Sequence, residues 1–87
     1  RVMNCILGFD IGGTNIKIGK FLFDEEKKDY VLNNNYYIKT LQGIDYHTVL
    51  NQIICEIDKN IEDCNLVGVG IGVPGPVKNG IVFAHVY

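Results

Sequence analysis

Phe9-Asp10-Ile11-Gly12-Gly13-Thr14-Asn15 decides how this chain reads. An apolar segment ends in a carboxylate, two glycines and a hydroxyl follow at once, and a second alternating segment begins at Asn15. Glycine has no Cβ, so the backbone there can turn tightly and lie close to a bound group. Successive N–H groups in such a turn can converge on an anion. A carboxylate beside that concavity would repel a bare phosphate. It makes chemical sense if a divalent cation lies between them, as Mg²⁺ does when held by one or two carboxylates plus substrate phosphates. Asp10 with the Gly12-Gly13-Thr14 turn therefore points to a metal–nucleotide site and not to a generic hairpin.

Working outward, Cys5 to Ile11 is apolar except at Gly8 and Asp10 and reads as a strand buried on both faces. Asn15 to Phe23 reads as a second strand. Ile16 and Ile18 share one face and Lys17 takes the other, whereas Phe21 and Phe23 are apolar on the opposite parity, which predicts a bulge at Gly19-Lys20. Asp24 to Asp29 is a charged turn. Tyr30 to Thr40 is a third strand with Asn33-Asn34-Asn35 in its middle, and the three strands make an antiparallel meander. Gly43-Ile44 then hands over to a helix. Tyr46, Leu50, Ile53, Ile54, Ile57 and Ile61 form one stripe, Asn51, Gln52, Glu56 and Lys59 face away, and Asp45 is the expected N-cap. A helix of this length can cross a sheet face and return the chain for a parallel strand.

That strand runs from Leu66 to Gly72. Gly68, Gly70 and Gly72 alternate with Val67, Val69 and Ile71, leaving one face bare of side chains. Either a helix packs closely there or a ligand approaches the backbone near Gly72. Val73-Pro74-Gly75-Pro76-Val77 is stiffened by two prolines. Asn79-Gly80, flanked by Val77-Lys78 and Ile81-Val82, signals a two-residue hairpin. No internal repeat is present.

The 87 residues suffice for one small domain. A net charge of −2 with no basic run argues against nucleic acid and anionic membrane as partners. The apolar stretches are too short to span a bilayer, and with no n-region plus h-region at the first residues a secretion signal is not expected. Cys5, Cys55 and Cys64 are odd in number and lack metal-ligand or redox spacing, so they read as reduced, buried thiols of a cytosolic protein. Met3 is a candidate native start. The apolar run from Ile81 to Tyr87 reads as a chain cut inside a longer protein.

Asp10-Ile11-Gly12-Gly13-Thr14-Asn15-Ile16-Lys17 closely resembles the first phosphate motif of the ROK sugar kinases, members of the actin and hexokinase-like superfamily. Gly70-Ile71-Gly72-Val73-Pro74-Gly75-Pro76-Val77, about sixty residues later, resembles the second signature of the same family. The GGT turn alone is weak; the two runs together are specific, and the resemblance covers essentially the whole chain. It implies an α/β fold of the ribonuclease H-like kind, with residues 1–87 forming part of the N-terminal lobe of a two-lobe kinase, truncated at the C-terminus.

The resemblance further implies ATP and Mg²⁺ as cofactors and a hexose or amino sugar as substrate, of the glucokinase or N-acetylhexosamine kinase type. Asp10 would sit near Mg²⁺ through water. Gly12, Gly13 and Thr14 would supply backbone and hydroxyl contacts to the ATP phosphates, Asn15 would orient the turn, and Lys17 would approach a phosphate. Gly72, Pro74, Gly75, Pro76 and Val77 would wall the sugar site, at the carboxyl end of a strand where ligands of open α/β sheets bind. The catalytic aspartate, a structural zinc motif and the remaining sugar contacts would lie beyond residue 87, so the chain alone is expected to be inactive as a kinase. The full-length protein would be a cytoplasmic homodimer. The alternative is the sugar-sensing domain of a ROK-type transcriptional repressor, for which DNA would be a partner. His47 and His85 are expected to be structural, and Tyr30, Tyr36, Tyr37 and Tyr46 to serve packing.

Overall fold

The computed structural model describes residues 2–42, 45–73 and 80–84. Its elements are β1 (Met3–Ile11), β2 (Asn15–Asp24), β3 (Asp29–Lys39), α1 (His47–Asn60), β4 (Cys64–Val73) and β5 (Gly80–Ala84). They form a five-stranded mixed sheet of order β3-β2-β1-β4-β5. The first three strands are the expected antiparallel meander, and β4 lies parallel to β1 after the α1 crossover. Among the described residues no helix is long and apolar enough to cross a membrane.

One sheet face carries the core. Leu7, Phe9, Ile16, Ile18, Val69 and Ile53 of α1 are buried together, with Ile38, Val49, Ile57, Leu66 and Ile71 packed around them. The other face carries the glycines. Gly8 is paired with Gly19 on β2 and with Gly70 on β4, so three glycines stand side by side across three strands. The core residues of β4 thus face α1, and its glycines do not: the expectation of a helix on the glycine face is not met among the described residues.

The bulge expected at Gly19-Lys20 is not in β2, which pairs with β1 without a break from Leu22 to Ile16. The irregularity lies in the β2–β3 ladder, where Phe21 pairs with Leu32 and Lys20 with Asn34, leaving Asn33 as the extra residue. The apolar parity of β2 changes for another reason. Lys20 is buried on the core side, where its Nζ donates to Asp63 Oδ1 at 2.8 Å, and Phe21 lies over the glycine face. A second register shift, between Cys5 and Ile6, leaves Val67 unpaired in β4 and keeps both Leu66 and Val69 on the core side.

The predicted helix is real but rotated. Ile53, Glu56 and Asn60 are its buried residues, while Tyr46, Leu50 and Ile54 are exposed. Glu56 can face inward because each of its oxygens is paired: Tyr36 Oη donates to Oε1 at 2.7 Å and Lys59 Nζ to Oε2 at 3.0 Å. Asn60 Nδ2 donates to Tyr36 Oη at 2.8 Å and to the Glu56 carbonyl at 2.7 Å. A buried polar group so satisfied carries little of the penalty that makes the pattern rule work. Asp45 is not the N-cap that was expected: Tyr46 holds that position with no side-chain cap, and Asp45, one residue earlier, accepts from His47 N through its Oδ1 at 3.0 Å.

Cys5 and Cys64 are paired as a disulfide with their Cα atoms 6.0 Å apart, and Cys55 is exposed on α1. The expectation of three reduced, buried thiols is therefore corrected. Cys5 and Cys64 have a sequence separation of 59, and only the parallel register of β1 and β4 brings them together. Ile81 pairs with Gly72 and Gly80 with Val73, so β5 lies antiparallel to β4. The hairpin expected at Asn79-Gly80, with Val77-Lys78 as one arm, falls outside the described residues. Tyr37 and Tyr46 are exposed and do not serve packing, whereas Tyr30 meets Phe23 edge to face at 5.3 Å.

Candidate functional site

The carboxyl ends of β1 and β4 lie side by side. Asp10 is directly opposite Lys17 on β2 and directly beside Gly72 on β4. Asp10 of the first motif and Gly72 of the second, far apart in the sequence, thus meet at the carboxyl end of two inner strands. Asp10 and Lys17 are both exposed, and neither forms an ion pair or hydrogen bond with the other. Together with Tyr37 they line a groove of about 860 Å³ floored by Gly8, Gly19 and Gly70. Phe21 reaches across this floor: a Cβ on Gly19 would stand 3.2 Å from its ring.

The turn between β1 and β2 is closed by Gly12 N donating to the Asn15 carbonyl at 2.9 Å. Its carbonyls are turned toward the segment that follows β3. Thr40 N donates to Thr14 O at 2.9 Å, Thr40 Oγ1 to Gly12 O at 2.9 Å, and Gln42 Nε2 to Gly13 O at 3.2 Å. The same segment is gripped by α1, where Gln52 Nε2 donates to Lys39 O at 2.9 Å and Gln52 Oε1 accepts from Leu41 N at 3.1 Å. The N–H groups of Gly13 and Thr14 donate to no described residue. The turn therefore has all three carbonyls engaged and two donors with no partner among the described residues, beside a carboxylate.

The two glycines of the turn differ. A Cβ on Gly12 would lie 3.0 Å from the Asn15 carbonyl oxygen, so Gly12 answers to hairpin closure. A Cβ on Gly13 would meet nothing within 4 Å, so the space beside it is open to a ligand. Asn15 contributes its carbonyl, and its side chain makes no hydrogen bond with a described residue. Pro74, Gly75, Pro76 and Val77, expected as a wall of the site, lie outside the described residues, as does His85. His47 opens α1, exposed, with its ring stacked on Tyr46 at 4.4 Å and its Nδ1 3.3 Å from Asp45 Oδ1, remote in role from the turn.

Among the described residues there is no cluster of three or more His, Cys, Asp or Glu arranged to hold a metal. The lone carboxylate of Asp10 suits a cation that keeps its waters and takes its other ligands from phosphates, which is the habit of Mg²⁺. Thr40 and Gln42, bonded to the turn, and Gln52 behind them are neighbours that the sequence did not advertise. The sole hint was the placement of Thr40 at the end of the predicted third strand. Comparison with protein-family models, curated proteins and solved structures returned no match to this chain.

Proposed function

We propose that this chain is the phosphate-binding part of an ATP-dependent sugar kinase of the ROK kind, on a ribonuclease H-like lobe. The observation that carries the reading is the junction, at the carboxyl ends of β1 and β4, of Asp10, Gly72 and the N–H groups of Gly13 and Thr14, which have no partner among the described residues. The meander followed by a helix crossover to a strand parallel to β1 supports the fold part of the reading. Phosphoryl transfer asks a protein mainly for positioning and charge neutralisation. Here the two N–H groups and Lys17 would face the phosphates, Thr14 would add its hydroxyl, and Asp10 would hold hydrated Mg²⁺. Bound Mg²⁺ supplies the neutralisation of phosphate charge. Gly72 leads toward the sugar side, and the proton of the sugar hydroxyl would go to a base outside these residues. The parent protein would be a cytoplasmic homodimer acting on a hexose or amino sugar.

The test is a titration of the ¹⁵N-labelled chain with MgATP, followed by amide shifts and paired with a coupled ATP assay. Shifts confined to Asp10–Lys17 and Gly72 are expected, without turnover. Asp10→Asn should weaken the Mg²⁺-dependent affinity by roughly tenfold, about 1.4 kcal/mol. Shifts scattered away from the turn would refute the reading, and robust sugar phosphorylation by these 87 residues alone would refute the placement of the base outside them.

A further inference from the structure

We infer that Thr40 and Gln52 are positioning residues for the phosphate turn, and that α1 holds the anion-binding geometry through them. The inference rests on the kinase reading for the anion. Its structural half rests on the hydrogen bonds alone. Thr40 is 8% exposed and spans the turn with two bonds, one from its N–H to Thr14 O and one from its hydroxyl to Gly12 O, each 2.9 Å. Gln52, one turn before the buried Glu56 on α1, clasps both ends of the 39–41 segment, donating to Lys39 O and accepting from Leu41 N.

The consequence is directional. A peptide unit whose carbonyl is anchored on one side presents its N–H on the other, so anchoring the carbonyls of Gly12 and Gly13 from residues 39–42, the strap, aims the N–H groups of Gly13 and Thr14 away from it. Donors fixed before an anion arrives need no reordering when it binds, and such preorganisation is where binding strength of this kind comes from. Without the strap the Gly12–Asn15 closure would be a short glycine-rich turn with one bond across it, free to sample many backbone states. The strap also ties the turn to the helix position. A shift of α1 along the sheet would reach the phosphate turn through Gln52 and Thr40 before it reached Asp10.

Two readouts separate the strap from the kinase reading. The first is hydrogen exchange at the Gly12 amide in the ligand-free chain, since that N–H closes the turn. The second is the affinity for MgATP from the same amide titration. Thr40→Val keeps the shape and removes the hydroxyl, and Thr40→Ser restores it. Gln52→Ala releases the clasp from the helix side. We expect Gly12 exchange to quicken, and MgATP affinity to fall, by roughly three- to tenfold in Thr40→Val and Gln52→Ala, the worth of one hydrogen bond. Thr40→Ser should match the wild type, and unchanged circular dichroism should show that each variant is folded. If Thr40→Val leaves Gly12 exchange and MgATP affinity at wild-type values, the strap is overturned and the kinase reading stands. If the wild type takes up no MgATP while Gly12 still exchanges faster in Thr40→Val and Gln52→Ala, the kinase reading falls and the strap stands.

Discussion

At the scale of single residues, the adjacent glycines of the phosphate turn are there for different reasons. A methyl on Gly12 would stand 3.0 Å from the Asn15 carbonyl oxygen, which would have to give by a few tenths of an ångström, whereas one on Gly13 would meet nothing within 4 Å. Gly12→Ala should therefore strain the hairpin closure and cost roughly 1 kcal/mol, the low end for forced overpacking. Gly13→Ala should leave stability within about 0.5 kcal/mol of the wild type, since it meets nothing. It should nonetheless weaken MgATP, because its methyl would occupy the space beside the N–H groups of Gly13 and Thr14. Urea unfolding of both variants beside the titration checks this; equal stabilities would sink the distinction. The pair Gly12-Gly13 was legible in the sequence as a turn, but not which glycine served closure and which served access. That depends on the path of Asn15, which no local pattern encodes.

At the scale of elements, α1 shows where pattern reading stops. The apolar stripe through Leu50 and Ile54 was the natural choice, yet both are exposed and Glu56 is 5% exposed. Periodicity ranks residues by side-chain polarity and does not register a partner on another element, here Tyr36 on β3. The pairing has a titration consequence. Burial pushes the Glu56 carboxyl up, but hydrogen bonds from Tyr36 and Lys59 outweigh it and hold the group below the ordinary glutamate range. Burial and the same bond to Glu56 push the Tyr36 hydroxyl up. For a carboxyl whose folded pKa is depressed, the stabilisation is complete above the unfolded value, about 4.3, and drains away as pH falls through the folded value. Stability should thus decline on acidification below about pH 4.3. Glu56→Gln should flatten that decline, with a lower stability at neutral pH because the ion pair with Lys59 is gone. Denaturant midpoints measured across the acid range decide it; an unaltered slope in Glu56→Gln would discount the pairing.

At the scale of the whole molecule, the neighbouring strands β1 and β4 organise everything of consequence. They bring Asp10 beside Gly72 at their carboxyl ends and hold the Cys5–Cys64 bridge near their amino ends. A bridge closing a loop with a sequence separation of 59 limits the unfolded chain. On the chain-entropy estimate it is worth about 4 kcal/mol at most. Reduction, or Cys64→Ser, should therefore lower the urea midpoint markedly, while Cys55→Ser, on the exposed side of α1, should not. A midpoint indifferent to reductant would show that the bridge contributes nothing to the fold.

By itself the sequence determined the order and kind of the elements, the meander, the crossover and the glycine turn with its carboxylate. Those are set by local propensity, by the period of apolar residues and by residues with special backbone behaviour, all of which act over a few neighbours. Tertiary structure alone decided which face of α1 is buried, that Asn33 and not Gly19-Lys20 carries the β2–β3 irregularity, that Cys5 meets Cys64, and that Thr40 and Gln52 stand behind the turn. Each of these depends on a contact between groups distant in the chain, and such a contact exists only once strand register and helix placement have brought its two partners within reach.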